Sequence, residues 1–208
     1  MARTKTSKAW MQEHVTDAYV RRAKQEGYRS RSAYKLLEIL EKDKLVRPGM
    51  TVIDLGAAPG GWSQVLAPLV GAKGQVIALD ILEMEPLRGA VVIRGDFSVE
   101  STLTLLEEQL GDRSIALVVS DMSPNISGVG LVDQARSIHL AELALEFARD
   151  RLKPDGDLLV KVFQGAGLDE FRKQLGVAFA SVAVRKPKAS RDRSSELYLL
   201  ARGRRQVS

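Results

Sequence analysis

The stretch Val52-Ile-Asp-Leu-Gly-Ala-Ala-Pro-Gly-Gly-Trp62 constrains the fold more than any other part of the chain. An apolar run with an acidic residue near its end, then a glycine turn, then a helix start is the order of a buried strand and its first crossover. Gly56, Gly60 and Gly61 allow backbone conformations and close approaches that a Cβ would forbid. In doubly wound α/β sheets such a turn holds a nucleotide-like ligand. The spacing departs from the dinucleotide fingerprint G-x-G-x-x-G, because Gly56 is followed by Ala57-Ala58-Pro59. A diphosphate needs free N–H groups at a helix N-terminus, and Pro59 has none to offer. The turn therefore suits a ligand without a pyrophosphate. S-adenosylmethionine is the first candidate and NAD the second.

The flanking pattern agrees with an α/β sheet. Strands are expected at 51–55, 75–80, 91–94, 115–120 and 158–163, with helices at 61–70, 101–110, 134–152 and 168–176. Nearly continuous Val/Ile/Leu runs mark strands buried on both faces, as a parallel sheet requires. Two closing strands, 181–185 and 196–201, have no helix between them, only a loop rich in Pro, Ser and Arg. That ending predicts an antiparallel hairpin at the edge of a mostly parallel, seven-stranded, Rossmann-like sheet of the class I methyltransferase type. Ahead of the sheet, residues 8–26 have helical character. Ser30 or Ser32 is placed to cap a second helix running through Leu40. A single domain is expected, with a basic helical extension at 1–45 and the ligand-binding core at 46–208.

Composition narrows the chemistry. The chain has no cysteine and only two histidines, His14 and His139, so neither thiolate chemistry nor a metal site is expected. No apolar run reaches membrane-spanning length, and the basic start lacks a following apolar segment, so a cytoplasmic chain without a membrane is expected. No subunit interface is legible, and a monomer is the default.

Charge is uneven. Residues 1–35 hold nine Lys/Arg against three Asp/Glu, residues 185–208 hold eight against two, and the 149 residues between carry −7 of the total of +5. Basic flanks on an acidic core point to a polyanionic partner, nucleic acid above all, with solvated tails that aid solubility as the alternative. Arg21, Arg22, Lys24, Arg29 and Arg31, with Arg185, Lys186, Lys188, Arg191 and Arg193, are the candidate phosphate contacts.

Acidic residues recur where strands end. Asp80 closes the second strand, where a ribose diol can be bonded; Asp96 follows the third, within reach of an adenine amino group. Asp121 ends the fourth, beside the place for a methionine moiety, and Trp62 opens the first core helix, where it can pack on a ligand. Singly, each acid reads as a turn or cap residue. Their succession after consecutive strands points to one ligand. Lys161 interrupts the apolar run Leu158–Phe163, Glu196 opens the last strand, and Lys35 lies in a helix. Alone, they read as a snorkelling lysine, an edge charge and a solvated helix face.

Taken together, five segments carry a resemblance. Arg29-Ser-Arg-Ser-Ala-Tyr-Lys35-Leu, Asp54-Leu-Gly-Ala-Ala-Pro-Gly-Gly-Trp62-Ser-Gln, Ser120-Asp-Met-Ser-Pro-Asn125, Val160-Lys-Val-Phe163 and Arg191-Asp-Arg-Ser-Ser-Glu196-Leu-Tyr198 resemble the FtsJ/RrmJ family. Its members methylate a uridine ribose 2′-hydroxyl in large-subunit (23S) ribosomal RNA, with S-adenosylmethionine as donor. The resemblance implies a Lys35, Asp121, Lys161, Glu196 tetrad. It puts the cofactor residues on Gly60, Trp62, Asp80, Asp96 and Asp121, with Gly61 beside them in the turn. It also implies an A-loop uridine on the assembled 50S subunit as target.

The chemistry suits these residues. A sulfonium methyl is already electrophilic, so the protein must align an oxygen in line with it and manage the departing proton. Lys161 is the residue of choice, as base if neutral or as a hydroxyl-orienting cation if charged. The sequence leaves both open. A base methyltransferase is the nearest rival, but C5 enzymes need a cysteine, and amine enzymes show an Asn/Asp-Pro-Pro-aromatic signature where this chain has Asp121-Met-Ser-Pro-Asn125. An RNA-binding assembly factor is the non-catalytic alternative. The 123–133 segment, with Gly128 and Gly130, reads either as a loop that closes over the target nucleotide or simply as a long connection.

Overall fold

Alternating apolar runs and amphipathic segments form seven strands and six helices among the residues that the computed structural model describes, 17–124, 127, 130–191 and 194–206. Helices α1 (Ala18–Glu26) and α2 (Ala33–Asp43) precede β1 (Thr51–Leu55), α3 (Gly61–Val70) and β2 (Gln75–Asp80). Then follow β3 (Ala90–Arg94), α4 (Glu100–Leu110), β4 (Ile115–Ser120), α5 (Gly130–Arg151) and β5 (Leu152–Phe163). Helix α6 (Leu168–Ala178), β6 (Phe179–Arg185) and β7 (Glu196–Arg204) close the chain. Most of the 8–26 helix ahead of Asp17, much of the 123–133 segment including Asn125, and Arg193 lie outside the described residues. No helix among those described is long and apolar enough to cross a membrane.

The sheet order is β3-β2-β1-β4-β5-β7-β6. The closing hairpin forms the edge, as expected from the missing helix, and β7 is the antiparallel strand. It turns inward to pair with β5 and leaves β6 outermost. Burial explains the choice: β7 is nearly all covered along Glu196–Ala201, whereas β6 is mostly exposed or half-buried. Strand β5 begins at Leu152, earlier than the apolar run suggests, because its pairing with β4 shifts register between Ile115 and Leu117. Pro154 and Gly156 occupy that irregularity and hide it from a periodicity reading.

Strand alternation sorts side chains to two faces. Ile53, Leu55, Val118, Leu158, Val160 and Val162 pack with α4, α5 and α6, while Val52, Val119, Leu159, Tyr198 and Leu200 pack with α2 and α3. By the same alternation Asp54 and Lys161 belong to the α2/α3 face. Each helix terminus has its own reason. Asp17 caps α1 by accepting from the N–H groups of Tyr19 (2.9 Å) and Val20 (3.3 Å). Ser32 does occupy the N-cap position of α2, but its backbone is helical and its side chain makes no cap bond. The expected cap fails because its hydroxyl bonds Ser30 at 2.6 Å instead.

Candidate active site

The glycine turn after β1 is fixed by internal bonds. Gly56 and Gly60 have φ of 72° and 106°, in the left-handed region that a side chain would strain. A Cβ at Gly56 would fall 2.3 Å from Met122 Cγ, and one at Gly61 2.2 Å from Ser30 Oγ, so these glycines serve protein packing before any ligand. The N–H groups of Gly56 and Ala57 donate to Leu79 O, that of Gly60 to Ala57 O, and that of Ala58 to Asp80 Oδ2. With Pro59 having no N–H, little of this turn is left to cradle a diphosphate. What faces the strand ends instead is carboxylate.

Asp80 accepts from Ala58 and Leu82 N–H groups, both at 2.8 Å. Asp96 is exposed and accepts from Ser98 N (2.9 Å) and Oγ (2.7 Å) through one oxygen, leaving the other to solvent or ligand. Trp62 is a correction to the expectation of a ring packed on a ligand. Only 2% exposed, it lies in the core 5.6 Å from the Tyr198 ring, and its Nε1 donates to Ser32 O at 2.9 Å. Its indole ties α2 to α3.

The four predicted tetrad residues form two ion pairs. Lys161 Nζ lies 3.1 Å from Asp121 Oδ1, and it donates to the Asp121 backbone carbonyl at 2.6 Å and to Ser123 Oγ. Lys35 Nζ lies 2.6 Å from Glu196 Oε1. Both pairs are largely shielded, with side-chain exposures of 5% and 17% for the first and 12% and 11% for the second. Tyr198 bonds the first pair and stands two residues along β7 from Glu196 of the second. Directly across the ladder from Lys161, it donates its hydroxyl to Asp121 Oδ1 at 2.7 Å. Burial first, then the charges of Asp121 and Glu196, hold its phenol well above its ordinary pKa, so it stays a donor. Sequence reasoning gave Tyr198 no role. Its signal was there, two residues beyond Glu196 and so on the same strand face.

Asp54 was the other omission. It is 1% exposed, accepts from Ser63 Oγ at 2.7 Å through Oδ2, and leaves Oδ1 with no partner. Burial above all, with the charges of Asp121 and Asp80 behind it, pushes its pKa up to about 7 against the hydrogen bond from Ser63. An unfolded aspartate titrates near ~3.9. Between those values the folded state holds a proton that the unfolded chain has released, so stability falls as pH rises from about 4 to about 7. Asp54→Asn keeps an acceptor for Ser63 and abolishes the titration. The variant should gain on wild type by about 3 kcal/mol between pH 4.5 and 8. Parallel melting-temperature curves across that range would refute this.

Many of the basic flank residues face inward. Arg29 donates to the carbonyls of Pro59 (3.2 Å), Glu85 (2.7 Å) and Pro86 (2.7 Å) and so braces the glycine turn. Arg31 bonds Asp17 and the Ala189 carbonyl, and Arg185 makes a fork with Asp43 at 2.6 and 2.5 Å. Lys186 donates to the carbonyls of Ser194 and Glu196, while Glu38 accepts the Lys188 and Ala189 N–H groups. These bonds strap the loop before Glu196 onto α2, which carries Lys35. Arg22 pairs with Glu26 and lies 4.7 Å from the Tyr34 ring centre. The exposed Arg21, Lys24 and Lys188 side chains remain available for phosphates.

This arrangement meets its counterpart in known proteins. The FtsJ-like methyltransferase family model matches residues 28–204. The chain is 60% identical to the Ribosomal RNA large subunit methyltransferase E of Nitrosospira multiformis over 205 residues, 99% of this chain and all of that one. It is 54% identical to the Pseudomonas aeruginosa protein of the same name over 203 residues, 98% of each. Among solved structures, a Plasmodium falciparum protein described as a ribosomal RNA methyltransferase superposes with a TM-score of 0.77 at 27% identity, covering 85% of this chain and 98% of that one. Motif order, sheet topology and near full-length identity converge, and the chain belongs to the FtsJ-like methyltransferase family.

Proposed function

We propose that the chain methylates the ribose 2′-hydroxyl of a uridine in large-subunit rRNA, in the A loop of the 50S particle, with S-adenosylmethionine as donor. The observation that carries this reading is the pair of shielded lysine–carboxylate contacts, the first of them braced by Tyr198, at an acidic strand edge. The donor set fits a cationic sulfonium better than a dinucleotide: four N–H groups of the turn are already bonded, and the charges of Asp80 and Asp121 both reach Asp54. Gly60, Gly61, Asp80, Asp96 and Asp121 would hold the cofactor. When bound, it supplies a methyl carbon that needs no further activation.

The protein's own task is to present the hydroxyl. Lys161 Nζ bonds two acceptors, Asp121 O and Ser123 Oγ, and lies beside the Asp121 carboxylate, which leaves one N–H of an ammonium for the substrate oxygen. That favours the cationic role, in which Lys161 orients the hydroxyl and stabilises the negative charge growing on its oxygen while the proton passes to solvent water. Asp121 holds Lys161 in place, and Glu196 does the same for Lys35. The names of the close relatives support rRNA as substrate.

The test is transfer of labelled methyl from S-adenosylmethionine to large ribosomal subunits that lack the modification, followed by nucleoside analysis. Label as 2′-O-methyluridine is the expected result. Label on a base would overturn the tetrad's role. No label, with tight and salt-sensitive binding, would make the chain an assembly factor.

A further inference from the structure

The amino edge of the sheet, opposite the candidate active site, carries a cavity of about 430 Å³. Lys44, Arg47, Lys153 and Arg202 line it, against Asp155 and Asp157. Asp157 is already engaged, by Arg202 at 3.3 Å and by the Gly203 N–H at 3.0 Å. Lys44, Arg47 and Lys153 are exposed and, among the described residues, none of them is paired with a carboxylate. The contrast with Arg29, Arg31 and Arg185, which bond the protein itself, is direct.

The backbone adds an independent mark. Among the described residues, Lys44 (φ 50°) and Asp155 (φ 60°) are the two non-glycine residues in the left-handed region, and both line this cavity. Lys44 ends α2, a position where glycine is the ordinary occupant. Backbone strain of this kind clusters at binding sites. The partial negative charge at the end of α2 accounts for a cation at Lys44, but not for Arg47 or Lys153.

We propose that this recess is a second phosphate-binding site for the RNA substrate. Unpaired lysine and arginine heads around a concave space of this size recognise phosphate oxygens. Lys161 lies four positions beyond Asp157 on β5, a rise of roughly 13 Å, and the two lie toward opposite edges of the sheet. A phosphate held here is therefore not that of the target nucleotide itself. The proposal rests on the RNA-methyltransferase reading above and adds a contact on the far edge.

The experiment compares full-length wild type with Lys44→Gln/Arg47→Gln/Lys153→Gln for binding to a protein-free large-subunit rRNA transcript across a salt series. At about 0.15 M salt the triple variant should bind roughly tenfold more weakly, and the slope of log affinity against log salt should shrink by about 2. A control of equal charge, Lys73→Gln/Arg172→Gln/Lys173→Gln, should stay within about threefold of wild type. Asp155→Asn, tolerated at positive φ, removes the unengaged carboxylate and should tighten binding about two- to threefold, which damage to the fold would not do. A circular-dichroism spectrum and melting temperature matching wild type report that the triple variant is folded.

An unchanged slope, or a loss seen with whole subunits but not with bare RNA, overturns the proposal; the latter result points to an acidic protein segment instead. If wild type itself shows no salt-dependent RNA binding, the proposed function fails. If wild type binds and the triple variant matches it, only the second site fails.

Discussion

Lys161→Ala should lower kcat by about three orders of magnitude while cofactor affinity stays within a few-fold. Lys161 is 7% exposed, and its ammonium is gripped by Asp121 through both carbonyl and carboxylate and by the Ser123 hydroxyl. A donor held this firmly costs no reorganisation when negative charge develops on the attacking oxygen. Losing one such preorganised donor commonly costs about 10²–10³ in turnover, and losing a proton-handling group about 10²–10⁴. Cofactor affinity should survive because the strand-end carboxylates and the glycine turn remain. Lys161→Met guards against a trivial cause, since it keeps the buried stem and removes only the charged head. Equal loss in both variants, with titration calorimetry showing the cofactor still bound, is the expected result. Wild-type turnover by either would sink the assignment.

How much of this was legible beforehand depends on which atoms carry the information. The five buried strands and their helices were readable because continuous apolar runs leave few alternatives, and the missing helix before β7 disclosed the hairpin. The bulged start of β5 was not, because Pro154 and Gly156 break the pattern that defines a strand. Lys35, Asp121, Lys161 and Glu196 could be named as candidates, and the structure brings them together in two pairs. The carbonyl of Asp121, which holds Lys161, could not be foreseen, since every residue has one and only the turn after β4 aims it. Trp62 misled for the opposite reason: a helix N-terminus beside a glycine turn suggests a ligand wall, yet the indole was needed inside to join α2 to α3. The arginines misled similarly. Charge patterning counts guanidinium groups but cannot tell that Arg29 and Arg31 are turned toward carbonyls.

Asp121→Ala should damage stability, cofactor binding and turnover at once, and so separate Asp121 from Lys161. Its carboxylate accepts from the fully buried Tyr198 hydroxyl and balances the Lys161 ammonium. Removal leaves a buried phenol without an acceptor, worth about 1–3 kcal/mol, and breaks a shielded ion pair, worth about 3–5 kcal/mol when one partner remains. These share a carboxylate and do not add, so a loss of about 4 kcal/mol is expected, or roughly 8–16 °C in melting temperature for a chain of this length. Asp121→Asn supplies the decisive comparison. Its amide oxygen still accepts from Tyr198, so much of the thermal stability should return, but it has no charge to hold Lys161 or to face a cationic cofactor. Turnover should therefore remain at least about 10²-fold down and cofactor affinity reduced even in the well-folded Asn variant. If Asn restores turnover along with stability, Asp121 acts only as an acceptor for Tyr198, and the charge pairing with Lys161 plays no part in presenting the hydroxyl.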